Sequence, residues 1–91
     1  MFQIREGIRT ATTEDGSILL DIRQNQILTT NLVGSKILDL IKKGSEESEI
    51  TAEISRLYEL STDVAARDVR EFLQSLKERG IVVESEVEQK A

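Results

Sequence analysis

The sequence predicts an α+β domain, a three-stranded antiparallel sheet followed by three helices, arranged as a winged helix-turn-helix. Three observations lead there. Between residues 8 and 30, three short apolar or β-branched runs are separated by turn residues. From residue 31 onward, apolar residues recur at i, i+4, i+7 and i+8, the repeat of one helix face. The helical stretches open on capping residues, and two of them close on glycine.

Met1–Gly7 reads as a lead-in that pairs weakly or packs an apolar residue such as Phe2 or Ile4. Ile8–Thr13 has period-two spacing and three threonines, the composition of a half-exposed strand. Glu14-Asp15-Gly16 supplies a turn, since Asp-Gly is a strong hairpin signal. Ser17–Ile22 is the second strand, and its consecutive Ile18-Leu19-Leu20 predicts burial on both faces. Arg23–Asn25 turns the chain again into a third strand, Gln26–Thr30, which lies at one edge of the meander.

Asn31 is placed to cap the first helix, whose inner face is Val33, Ile37, Leu40 and Ile41. Gly34 in its first turn allows close contact with the sheet, Lys42 and Lys43 complement the dipole, and Gly44 ends it. Ser45 is the expected cap of the second helix, with Glu46, Glu47 and Glu49 at its positive end. Its apolar face is Ile50, Ile54, Leu57 and Tyr58. Ser61 caps the third helix, which buries Val69, Phe72, Leu73 and Leu76 and stops at Gly80. Ile81–Val83 is a short closing strand or a plug under the helices. One domain is expected over residues 1–84, with 85–91 a polar, frayed tail.

Composition removes several function classes. The chain has 91 residues, 38% of them hydrophobic and 32% charged, which suits one small globular domain. No apolar run reaches the ~18–20 residues of a membrane span. There is no cysteine, so neither disulfide nor thiolate metal site, and the cytoplasm is the expected setting. There is no histidine, the commonest general base and metal ligand. An enzyme, a metal site and a cofactor are therefore not expected. The net charge of −5 and 3% aromatic content disfavour nucleic acid, which needs basic contacts to phosphate and surfaces on which bases stack.

The segment DGSILLDIRQNQILTTNLVGSKILDLI resembles the PqqD-like family. The resemblance continues through EITAEISRLYELSTDVAARDVREFLQSLKERGIV and covers about Ile8 to Val83. Each short piece is weakly diagnostic, but their order and spacing together are specific. The family includes the pyrroloquinoline-quinone chaperone and the stand-alone leader-binding proteins of lasso-peptide clusters, known as RiPP recognition elements. The resemblance implies a peptide-binding role. The leader of a ribosomally made precursor peptide would add as a strand to the edge of the third strand. It would pack on the third helix and be presented to a separate leader peptidase or modifying enzyme. At this length the stand-alone form is expected.

The implied contacts are Gln26, Ile27, Leu28, Thr29 and Thr30 on the edge strand. On the third helix they are Val64, Arg67, Asp68 and Glu71, which share one side at i, i+3, i+4 and i+7. Leu28 and Val64 would take an apolar leader anchor, and Arg67 or Asp68 would fix its direction. The sequence departs from the family pattern at Thr30, where leucine is usual, and at Leu38, where tryptophan is frequent. Ile27 and Leu28 replace aromatics, and Asn25 replaces the turn glycine. Two other readings compete. A DNA-binding winged helix would use Arg67, Arg70, Lys77 and Arg79, but Asp68, Glu71 and Glu78 interrupt any basic stripe. A small structural adaptor, with its charges as solvated helix faces, needs no ligand at all.

Overall fold

A computed structural model describes residues 1–84; the tail expected at 85–91 lies outside the described residues. Strands β1 (Phe2–Ile4), β2 (Ile8–Thr13), β3 (Gly16–Asp21) and β4 (Gln26–Thr30) precede helices α1 (Leu32–Lys42), α2 (Glu47–Tyr58) and α3 (Thr62–Glu78). A short strand, β5 (Val82–Glu84), follows. The fold is α+β. β2, β3 and β4 form an antiparallel meander with β3 in the middle. β1 and β5 form a separate antiparallel pair, Phe2 opposite Glu84 and Ile4 opposite Val82. The lead-in is thus a paired strand whose partner comes from the far end of the described chain, a distance no local pattern reveals.

The meander covers its core on one face only. Ser17, Leu19 and Asp21 of β3 point inward and are buried, while Ile18 and Leu20 point outward and are exposed. This corrects the expectation of a strand buried on both faces: among the described residues no second layer covers the outer side. Ile22, read as part of the strand, lies beyond it and is also exposed. On the inner side α1 contributes Ile37, Leu38, Leu40 and Ile41. α2 adds Ile50 and Ile54, and α3 adds Ala65, Val69, Leu73 and Leu76. Phe2, Ile81 and Val82 close the core from below, with the Lys77 ammonium 5.7 Å from the Phe2 ring centroid and ion-paired to Glu84 at 3.1 Å. Leu57 and Tyr58, expected on the inner face of α2, are exposed instead.

Two of the three caps follow the sequence. The Asn31 side chain accepts from the Gly34 amide at 2.9 Å, and Ser61 accepts from the Val64 amide at 3.2 Å. The second helix begins one residue later than expected. Glu46 is its cap, and the Glu49 carboxylate accepts from the Glu46 amide at 2.7 Å, the reciprocal pair of a capping box. Ser45 gives way because only Glu46 has a carboxylate three residues on to answer it.

Asp21 fastens the β3–β4 turn. It is 4% exposed and accepts from the Gln24 amide at 3.1 Å and the Gln24 side chain at 2.8 Å. The Gln24 and Gln26 side-chain amides also donate to the Arg79 carbonyl, which ties the turn to the end of α3. Burial alone would push the Asp21 carboxyl up. The hydrogen bonds from Gln24, Gln26 and the Arg23 amide outweigh it and hold the group below its ordinary value. A depressed folded value gives stability that is present above the unfolded carboxyl range, near about pH 4, and lost as pH falls through the folded value. Asp21→Asn is therefore expected to lower the urea midpoint at pH 7 and to flatten the fall in midpoint between pH 4 and pH 2 that the native chain shows.

Candidate functional site

β4 pairs with β3 on one side only, so among the described residues its other edge has no strand partner. Alternate residues of such a strand direct their amides and carbonyls outward, a ready template for another extended chain. Gln26, Leu28 and Thr30 face the helices and are half-buried, whereas Ile27 and Thr29 face away. Leu28 packs against the edge of the core.

A groove of about 390 Å³ lies at the end of this strand, lined by Asn31, Val33, Gly34, Ile37, Leu60, Asp68, Glu71 and Phe72. Its walls come from the start of α1 and the middle of α3. They meet at Gly34, where a side chain would stand 2.9 Å from the Thr30 Cβ and 3.1 Å from the Phe72 ring. The missing Cβ lets β4, α1 and α3 converge, and the space above them stays open.

Of the helix residues singled out from sequence, Asp68 and Glu71 line this groove. Val64 and Arg67 do not, although Arg67 reaches Asp68 at 3.8 Å across an exposed surface. Exposed on both sides, that pair is worth at most a few tenths of a kcal/mol. Sequence reasoning missed Asn31, Val33, Gly34, Ile37, Leu60 and Phe72 as lining residues. Asn31 had been absorbed by its cap role, Phe72 and Val33 by helical periodicity. The signal that could have found them was Gly34, the one residue of α1 without a side chain.

The groove has a basic-free apolar floor and an acidic rim, a combination that suits an uncharged or apolar side chain rather than phosphate. A larger concavity of about 650 Å³ lies between α2 and α3, with Thr51, Ala52, Ser55 and Ala66 in its wall. No open strand edge borders it. The other free edge of the meander, β2, carries threonines, and the Lys42 ammonium donates to the Thr10 hydroxyl there. Among the described residues no three acidic side chains converge as a metal site would require.

The family model for coenzyme PQQ synthesis protein D (PqqD) matches residues 16–82, which is most of the chain. The chain belongs to the PqqD family. The matched segment contains β3, β4 and all three helices, and with them every residue of the groove. Two solved structures are similar to this PqqD-family chain. One is TbiB1 in complex with the TbiA(beta) leader peptide, 25% identical, with a TM-score of 0.85 over 91% of this chain and 96% of that one. The other is a lasso peptide synthetase B1 complexed with the leader peptide, 28% identical, with a TM-score of 0.84 over 91% of this chain and 98% of that one. A search of curated proteins gave no match.

Proposed function

We propose that this PqqD-family chain binds the leader segment of a ribosomally synthesised precursor peptide and presents it to a separate leader peptidase or modifying enzyme. The leader adds as a strand to the free edge of β4, along Gln26, Ile27, Leu28, Thr29 and Thr30. Main-chain hydrogen bonds supply sequence-tolerant affinity, and alternate side chains supply specificity. Inward-facing leader residues enter the groove over Phe72, Val33 and Gly34. Asp68 and Glu71 stand at its rim, with Arg67 and Val64 further toward the start of α3. In this reading α2 and α3 are the two helices of a winged helix-turn-helix and the meander is its wing. The chain needs no catalytic group, cofactor or metal for this task, and it works beside its enzymes in the cytoplasm. No helix of the described residues is long and apolar enough to cross a membrane.

The observation that carries the reading is the adjacency of an unpartnered strand edge to an apolar groove. The two leader-peptide complexes of similar fold support it. The DNA-binding alternative finds no such support, because the helix that would enter DNA presents acids toward the groove.

The test is a fluorescence-polarisation titration with a synthetic leader segment of a lasso-type precursor peptide. Saturable binding should persist between about 50 and 200 mM salt. Over that range a protein making several phosphate contacts loses on the order of a thousandfold in affinity. No leader binding, together with tight salt-sensitive binding to duplex DNA, would reverse the assignment.

A further inference from the structure

The outer face of the meander carries an apolar patch that nothing among the described residues covers. Ile18 is 40% exposed, Leu20 38%, Ile22 54% and Ile27 69%. Leu20 lies directly across the ladder from Ile27, and Ile18 from Thr29. On the other side of β3, Arg9 opposes Leu20 and Ala11 opposes Ile18, so the patch runs from the centre of the sheet to its β4 edge. Ile27 is its most exposed member and sits on the edge itself.

This placement has a geometric consequence that rests on the strand-addition reading above. Side chains of an added strand keep the pleat of the strand they join, so they alternate between the two faces. Leader residues opposite Gln26, Leu28 and Thr30 go inward to the groove. Those opposite Ile27 and Thr29 must go outward, onto the patch. Directly opposed side chains approach to about 5 Å, and an aromatic reaches the diagonal neighbour as well.

We infer that Ile27, backed across the ladder by Leu20, is a specificity-determining residue that reads an apolar side chain on the outward-facing register of the leader. The leader is then gripped on both faces of the sheet at a two-residue repeat: one set of side chains in the groove, the other on Ile27. The patch suits this occupant better than a second copy of the chain. Its four side chains expose on the order of a few hundred Å². A stable pair of proteins needs about 800 Å² from each partner. A single bound strand is the right size to cover Ile27 and part of Leu20.

The experiment compares the native chain with Ile27→Thr and Ile27→Lys in polarisation titrations. The probe is the same synthetic leader and a set in which each residue in turn is changed to alanine or glutamate. Threonine keeps the β-branch and the strand, and because Ile27 is so exposed both variants should melt within a few degrees of the native chain. Ile27→Thr should weaken leader binding about fivefold, the size of one cross-strand apolar pair. Alanine at one leader position should abolish the difference between native and variant. Ile27→Lys should weaken binding to the native leader and recover affinity when glutamate occupies that position. If the native chain binds the leader and neither variant changes its affinity, the outer-face contact is wrong and the edge-strand reading stands. If the native chain binds no leader, both fall. Sedimentation showing a dimer that Ile27→Lys dissolves would assign the patch to a second copy and overturn the inference.

Discussion

Gly16→Ala is expected to destabilise the chain by about 3 kcal/mol, a large fraction of the total stability of a small domain. Two costs combine. Gly16 has φ +150°, a conformation that side chains rarely adopt. A Cβ there would also stand 1.8 Å from the Thr30 carbonyl oxygen, 2.7 Å from the Thr30 carbonyl carbon and 2.8 Å from that of Asn31. These are backbone atoms at the junction where β4 passes into the cap of α1, so they cannot swing aside as a side-chain end would. Relief requires the end of β4 to leave β3. Urea unfolding should show the loss in the midpoint, with Gly44→Ala as the control. Gly44 also has positive φ (+85°), but the nearest atom to its added carbon is the flexible end of Met1. It should lose only the conformational part, about 1 kcal/mol. Equal effects at the two positions would show that the contact at Thr30 is unimportant.

The second large effect concerns the edge itself. Prolines introduced at Leu28 and at Thr29 should act in opposite ways. In an antiparallel pair, consecutive residues direct their amides to opposite sides. One of these two amides therefore belongs to the ladder with β3 and the other to the open edge. Proline at the ladder position breaks a hydrogen bond inside the sheet and should cost about 2 kcal/mol of stability. At the edge position it removes only an amide that a bound leader would use. Stability should then be nearly retained while leader affinity falls about tenfold. Circular dichroism and the polarisation titration read the two effects separately. Helices that persist with unchanged affinity in both variants would refute strand addition.

What the sequence disclosed was the part of the fold written in local chemistry. Asn31 and Ser61 announce their helices because a side-chain acceptor at a helix start is a short-range device. Asp15-Gly16 announces its turn for the same reason. The run Ile18-Leu19-Leu20 misled because a central strand covered on both faces reads the same way as one whose outer face stays bare. Only the arrangement of the layers tells them apart. The lead-in around Phe2 and the run Ile81–Val83 each read as a strand candidate, but nothing near either one names the other as its partner. The groove was legible in two of its eight lining residues. Asp68 and Glu71 fall on it because helical spacing places them on one side, but Val64 and Arg67 share that side and do not line it. Its floor of Val33 and Phe72 was hidden in the helical repeats that build the core.

The pairing of Phe2–Ile4 with Val82–Glu84 also sets an order of events in time. Closing a loop over nearly the whole described chain costs more entropy than closing the short turns of the meander, and it is rewarded only after everything between has condensed. The belt of β1 and β5 is thus expected to be the last element to lock. β4 and α1 belong to one short stretch of chain. They need neither end of it to find their register, but the groove beside them is complete only once α3 has docked as its second wall.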